Sequence, residues 1–153
     1  MAILHFVPTY MSASDDHGVG NKFTSNSGIT YKWVEFVDVD TLANSVVYPA
    51  NTTGTQVTMD FTGGSGLSAK VVGITPNIQD ISAKQYGFIQ TSGVATVIGD
   101  GSVAAGEAVI GHSVNGQADT MADGEEELVF GFALAADATN GTSVVFACYL
   151  NDL

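Results

Sequence analysis

Hydrophobic and polar residues alternate with a period of two over most of this chain, and two segments near its C-terminus are apolar on both phases. In residues 143–150, Val144, Phe146, Cys148 and Leu150 fall on one phase, and Val145, Ala147 and Tyr149 fall on the other. A strand points successive side chains to opposite faces, so this one has two faces to withdraw from water. Residues 128–134 have the same character, with Leu128, Phe130, Phe132 and Leu134 set against Val129, Gly131 and Ala133. A small antiparallel sheet ordinarily hides one face and wets the other. The pattern therefore predicts a two-layer sandwich with these strands at its centre, or a sheet face that packs on another subunit.

Upstream the signals are more conventional. Residues 31–39 have the aromatic and β-branched enrichment of a strand, with Tyr31, Trp33, Val37 and Val39 on one side and Glu35 interrupting it. Val57, Met59 and Phe61 alternate with Gln56, Thr58 and Asp60. After the Gly-rich residues 62–66 the alternation resumes with Leu67, Ala69 and Val71, which predicts a β-hairpin. Residues 79–84 are the one place where a helical turn fits. Further strands are expected at 87–90, 94–98 and 107–110, separated by Gly-containing turns. Residues 11–28 are dominated by turn formers, so 1–28 reads as an irregular N-terminal arm. It precedes a β-rich domain over 29–153, in which a hairpin region, 29–80, packs on a core, 86–153. The expected fold is all-β, an antiparallel β-sandwich or partly closed barrel.

Composition narrows the function. A chain of 153 residues is one domain by expectation and buries roughly 70% of the surface its unfolded form exposes. Cys148 is the single cysteine, so no intrachain disulfide forms. Residues 1–10 lack the basic start and long apolar run of a signal peptide, and no stretch approaches the ~20 apolar residues of a membrane span. These features lead us to expect a soluble chain made in a cytoplasm. Sixteen acidic residues face four lysines and no arginine, for a formal charge of −12. That charge repels polyanions and lacks the guanidinium fork that suits phosphate, which argues against direct nucleic-acid or anionic-membrane partners.

Candidate chemistry is sparse. Asp15-Asp16-His17 is the one acid–histidine cluster, but neighbours on an extended chain point apart, so a solvated loop is expected there rather than a hydrolytic acid/base pair. His5, His17 and His112 are scattered and have no cysteine partners, which argues against zinc. Asp38/Asp40 and Glu125–Glu127 lack the spaced oxygens and turn glycine of a calcium loop. Cys148 lies among apolar residues, the setting of an inert thiol. No catalytic residue, metal ligand or cofactor is expected, and the chain does not read as an enzyme. Tyr31 and Trp33 are the candidate ligand face for a carbohydrate- or receptor-binding module, although a core strand shows the same alternation.

The stretch 86–150 resembles the small decoration proteins (cement or head auxiliary proteins) of tailed bacteriophages. The resemblance is carried by Tyr86-Gly87-Phe88-Ile89-Gln90-Thr91-Ser92-Gly93 and by Asp100-Gly101-Ser102-Val103-Ala104-Ala105-Gly106-Glu107. Gly116-Gln117-Ala118, Val129-Phe130-Gly131-Phe132-Ala133-Leu134 and the terminal apolar strand continue it, and Gly28-Ile29-Thr30-Tyr31-Lys32-Trp33-Val34 resembles an upstream strand of the same proteins. About two thirds of the chain is covered, by Gly- and Ala-rich motifs. The resemblance implies a structural virion protein on the capsid surface, bound to the major capsid protein and to itself, commonly as a homotrimer. Phe130, Phe132, Val145, Ala147 and Tyr149 are then the candidate subunit or capsid interface, and residues 1–28 an arm that orders on the shell.

Overall fold

The computed structural model describes residues 7–38, 43–61, 70–76, 85–141 and the backbone of 143–149. The fold is all-β, and among these residues there is no α-helix. The first sheet contains β1 (Met11–Ser12), β2 (Lys22–Thr24), β3 (Thr30–Phe36), β4 (Val46–Pro49), β5 (Gln56–Thr58), β6 (Gly73–Ile74) and β7 (Tyr86–Gln90). Their order is β1-β7-β6-β4-β5-β3-β2, and a further pairing of β7 with β3 closes five of them into a barrel. β3 and β5 run parallel, so the barrel is mixed rather than purely antiparallel. The second sheet contains β8 (Ser92–Ile98), β9 (Ala108–Gly111), β10 (Ala118–Thr120), β11 (Gly131–Ala133) and β12 (Ser143–Tyr149), in the order β10-β9-β11-β12-β8. The doubly apolar terminal strand is thus paired on both edges.

Alternation along the barrel strands sorts side chains into two cores. Val34 and Phe36 of β3, Val47 of β4, Val57 of β5 and Ile89 of β7 cluster with Met11 and Met59 inside the barrel. So few strands leave a narrow lumen. Gly73 is required there, because a Cβ at that position would stand 2.5 Å from Ile89 Cδ1. The opposite phase of β4, Val46 and Tyr48, joins Val71 and Ile74 against Ala95, Val97, Val109, Ala118, Phe130 and Ala133 of the second layer. Tyr48 is fully buried, its hydroxyl donates to His112 O at 3.4 Å, and burial pushes its phenol pKa upward. Its ring and hydroxyl occupy the volume that a Cβ at Gly111 would need. A third cluster, Tyr31, Trp33 and Phe88 with Phe23, Ile29 and Tyr86, lies on the outside of the barrel.

Three expectations change. Residues 7–28 are irregular only in part, since β1 pairs with β7 and β2 with β3. Strands of two or three residues are too short to carry a readable period. The hairpin is also redrawn. Both edges of β5 are taken, by β4 and β3, and the strand after the glycines, β6, pairs with the far edge of β4. Residues 62–69, like the candidate helical turn at 79–84, lie outside the described residues. Finally, the strand expected over 128–134 shrinks to β11, because Glu126–Leu128 forms a 3-10 turn. Phe130 N donates to Val109 O at 3.0 Å while Gly131 is the register partner of Val109. Two residues facing one is the arrangement of a β-bulge, and it resets the alternation so that Phe130 turns inward and Phe132 outward.

We expect Gly73→Ala to destabilise the fold by ~1–3 kcal/mol through overpacking of the barrel. Ile89→Val, which removes the nearest atom, should recover part of that loss in the double variant. Urea midpoints that show simple additivity would contradict this account of the lumen.

Candidate interaction surface

The outer face of the second sheet carries partly exposed apolar side chains. Phe132 is 46% exposed, Leu134 56% and Val94 51%. Register aligns Phe132 and Val94, because Ala147 of β12 is the partner of Phe132 on one side and of Val94 on the other. Adjacent strands lie ~4.8 Å apart, so Val94 and Phe132 flank β12 at about 10 Å. Of the residues expected at an interface, Phe132 is in this row and Ala147 is at its register centre. Val145 pairs with Thr96 and Tyr149 with Ser92. The side chains of Val145, Ala147 and Tyr149 lie outside the described residues. Phe130 does not belong to the surface. It is 2% exposed and part of the core between barrel and sheet, a consequence of the bulge described above.

Tyr31 and Trp33 do not form an open ligand face. Trp33 is fully buried and Tyr31 nearly so. Residues 10–21 lie over Trp33: Tyr10 stacks on it with centroids 5.9 Å apart, and His17 meets it edge-on at 4.7 Å. The indole N–H donates to Asp15 Oδ1 at 2.8 Å, and Gly20 N donates to Trp33 O at 2.8 Å. His17 also contacts the rings of Tyr10, Phe23 and Phe88. Asp16 accepts from the Tyr10 hydroxyl at 2.7 Å. The Asp15-Asp16-His17 cluster is therefore a clasp that holds this segment on the barrel, with Asp15 and Asp16 exposed but engaged and His17 half-buried. Sequence reading missed it because the clasp's partners lie in β3 and β7.

The acidic clusters serve backbone. Asp38 accepts from Thr58 Oγ1 at 3.0 Å and from Met59 N, fastening the end of β5, while Asp40 lies outside the described residues. Glu125 and Glu126 accept from Ala122 N and Gly124 N within their own turn. A different acidic group is assembled by the fold. Asp100, His112 and Asp119 offer one ligand atom each within 4.8 Å of one another. No sequence signal marks them, because twelve and seven residues separate them along the chain.

No protein-family model matches the chain, and no curated protein matches it. A solved structure does. The N base of the head fibre protein gp8.5 of bacteriophage phi29 superposes with a TM-score of 0.52 at 13% identity, covering 82% of this chain and 98% of that one. The two chains share a fold.

Two outcomes test the clasp. Asp15→Ala removes the acceptor of the Trp33 indole, and we expect a loss of about 1 kcal/mol together with a shift in tryptophan emission. Asp16 has its pKa held below the ordinary carboxylate value by hydrogen bonds from Ser12, first, and Tyr10. A lowered native pKa stabilises the fold above the unfolded carboxylate value and ceases to do so as pH falls through the native one. Wild type should therefore be more stable than Asp16→Asn at neutral pH, and the gap should close as pH falls below about 4. Urea midpoints measured across that range check this, and a gap that stays constant with pH would count against the carboxylate's part in the clasp.

Proposed function

We propose that this chain is a structural protein of a bacteriophage head, placed on the outer capsid surface, self-associated as a trimer, and stabilising the shell as a decoration protein does. The observation that carries the reading is the fold shared with a head fibre base over nearly all of that base. The charge of −12 agrees with it, since such a protein must stay soluble in many copies and keep away from packaged DNA. In this reading the apolar row of Phe132, Leu134 and Val94 is the contact with a second copy or with the major capsid protein. Interfaces of this kind place apolar residues at the centre and charge at the rim. Binding only to the assembled shell then favours that shell by mass action. The chain has no catalytic role in this reading, and it resides in the virion.

The experiment combines solution mass with sedimentation on phage heads assembled without this chain. We expect a trimer that co-sediments with the heads and labels their surface in immuno-electron microscopy. Phe132→Asp should leave the circular dichroism spectrum intact, because the ring is outside the core. Losing that contact costs ~2 kcal/mol per copy, roughly a thirtyfold weakening of association. A monomeric wild type would remove the self-association, and heads left bare would remove the capsid role.

A further inference from the structure

We propose that Asp100, His112 and Asp119 form a binding site for a divalent transition-metal ion of the zinc class. The three residues come from three places: the turn after β8, the residue following β9, and β10. Backbone hydrogen bonds fix their positions. Asp100 N donates to Ala118 O at 3.0 Å and His112 N to Gln117 O at 2.9 Å, docking the turn and both strand ends together. His112 Nε2 stands 3.8 Å from Asp119 Oδ2. A tetrahedral ion with ligands at ~2.1 Å holds its donor atoms about 3.4 Å apart, so the His112–Asp119 pair is close to that spacing, and the full set, within 4.8 Å, closes on an ion by drawing the carboxylates inward.

The local bonding is that of a site short of positive charge. The Ser102 hydroxyl has one proton and three carboxylate oxygens around it, Asp100 Oδ1 at 2.8 Å, Asp100 Oδ2 at 2.9 Å and Asp119 Oδ1 at 3.3 Å. A second observation is independent of these groups. Gln117 Oε1 is buried and without a hydrogen-bond partner. Gln117 is half-buried, lies opposite His112 and just before β10, and its Nε2 donates to Asn140 Oδ1 at 3.1 Å. A buried acceptor of this kind calls for an ion or a bound water. One imidazole with two carboxylates suits zinc-class ions; calcium prefers a larger, all-oxygen shell.

The histidine carries a signature of binding. Val114 N donates to His112 Nδ1 at 2.9 Å, so the metal-free neutral ring keeps its proton on Nε2, toward Asp119. Coordination through Nε2 moves that proton to Nδ1 and releases the Val114 amide, with no net proton change on the ring. The site would pin β10, the edge strand of the second sheet, to the turn after β8, and it stands whether or not the capsid reading does.

The test is titration of the full chain with zinc chloride, with calcium chloride as comparator, followed by calorimetry and amide NMR. We expect saturable one-to-one zinc binding, a rise in melting temperature, and a large shift of the Val114 amide. His112→Gln and Asp119→Asn should each weaken binding at least roughly tenfold. His17→Gln should leave it unchanged. Zinc affinity that survives His112→Gln, a Val114 amide that stays in place, or equal binding of calcium would each overturn the proposal.

Discussion

Tyr48 packs against Gly111 in the core that joins the two layers. β4 is buried on both phases, with Val47 inside the barrel and Val46 and Tyr48 in the core shared with the second sheet. A fully buried phenol needs both space and a hydrogen-bond partner. The absent side chain of Gly111 supplies the space, and the carbonyl of His112 supplies the partner. The same contact therefore fixes the end of β9, where His112 turns toward Asp119 on the other face.

Carboxylates hold much of the irregular structure in place. Asp15 fixes Trp33, Asp38 fastens β5, Glu107 accepts from Ala104 N and Thr120 Oγ1, and buried Asp137 accepts from Gly101 N and Thr139 N. Hydrogen bonds from backbone N–H groups to a carboxylate are stronger than neutral ones. The acidic composition thus has a structural use beyond solubility, in loops too short to form their own ladders.

The outer faces of the molecule differ in kind. The barrel's aromatic outer cluster is covered by residues 10–21 of the same chain, whereas the second sheet leaves Phe132, Leu134 and Val94 about half exposed. In the proposed function that row is the contact surface. That contrast also separates the two readings of exposed aromatics. The rings that looked best for a ligand are internal, and the apolar face lies elsewhere.

Local pattern was enough to establish the all-β class, most strand positions from 86 onward, and a last strand paired on both edges, because period-two alternation and glycine turns are properties of one strand at a time. It also singled out Phe132, whose ring the fold leaves about half exposed. Folding in three dimensions was needed to close the barrel through a parallel β3–β5 pair and to set β4 between the two halves of the expected hairpin. It was needed, too, for the bulge at Phe130 that sends nearby aromatics to opposite sides. The same holds for the burial of Trp33 and for the meeting of Asp100, His112 and Asp119. Each of these depends on which distant strand supplies the neighbouring edge, and alternation along one strand carries no information about the identity of its partner.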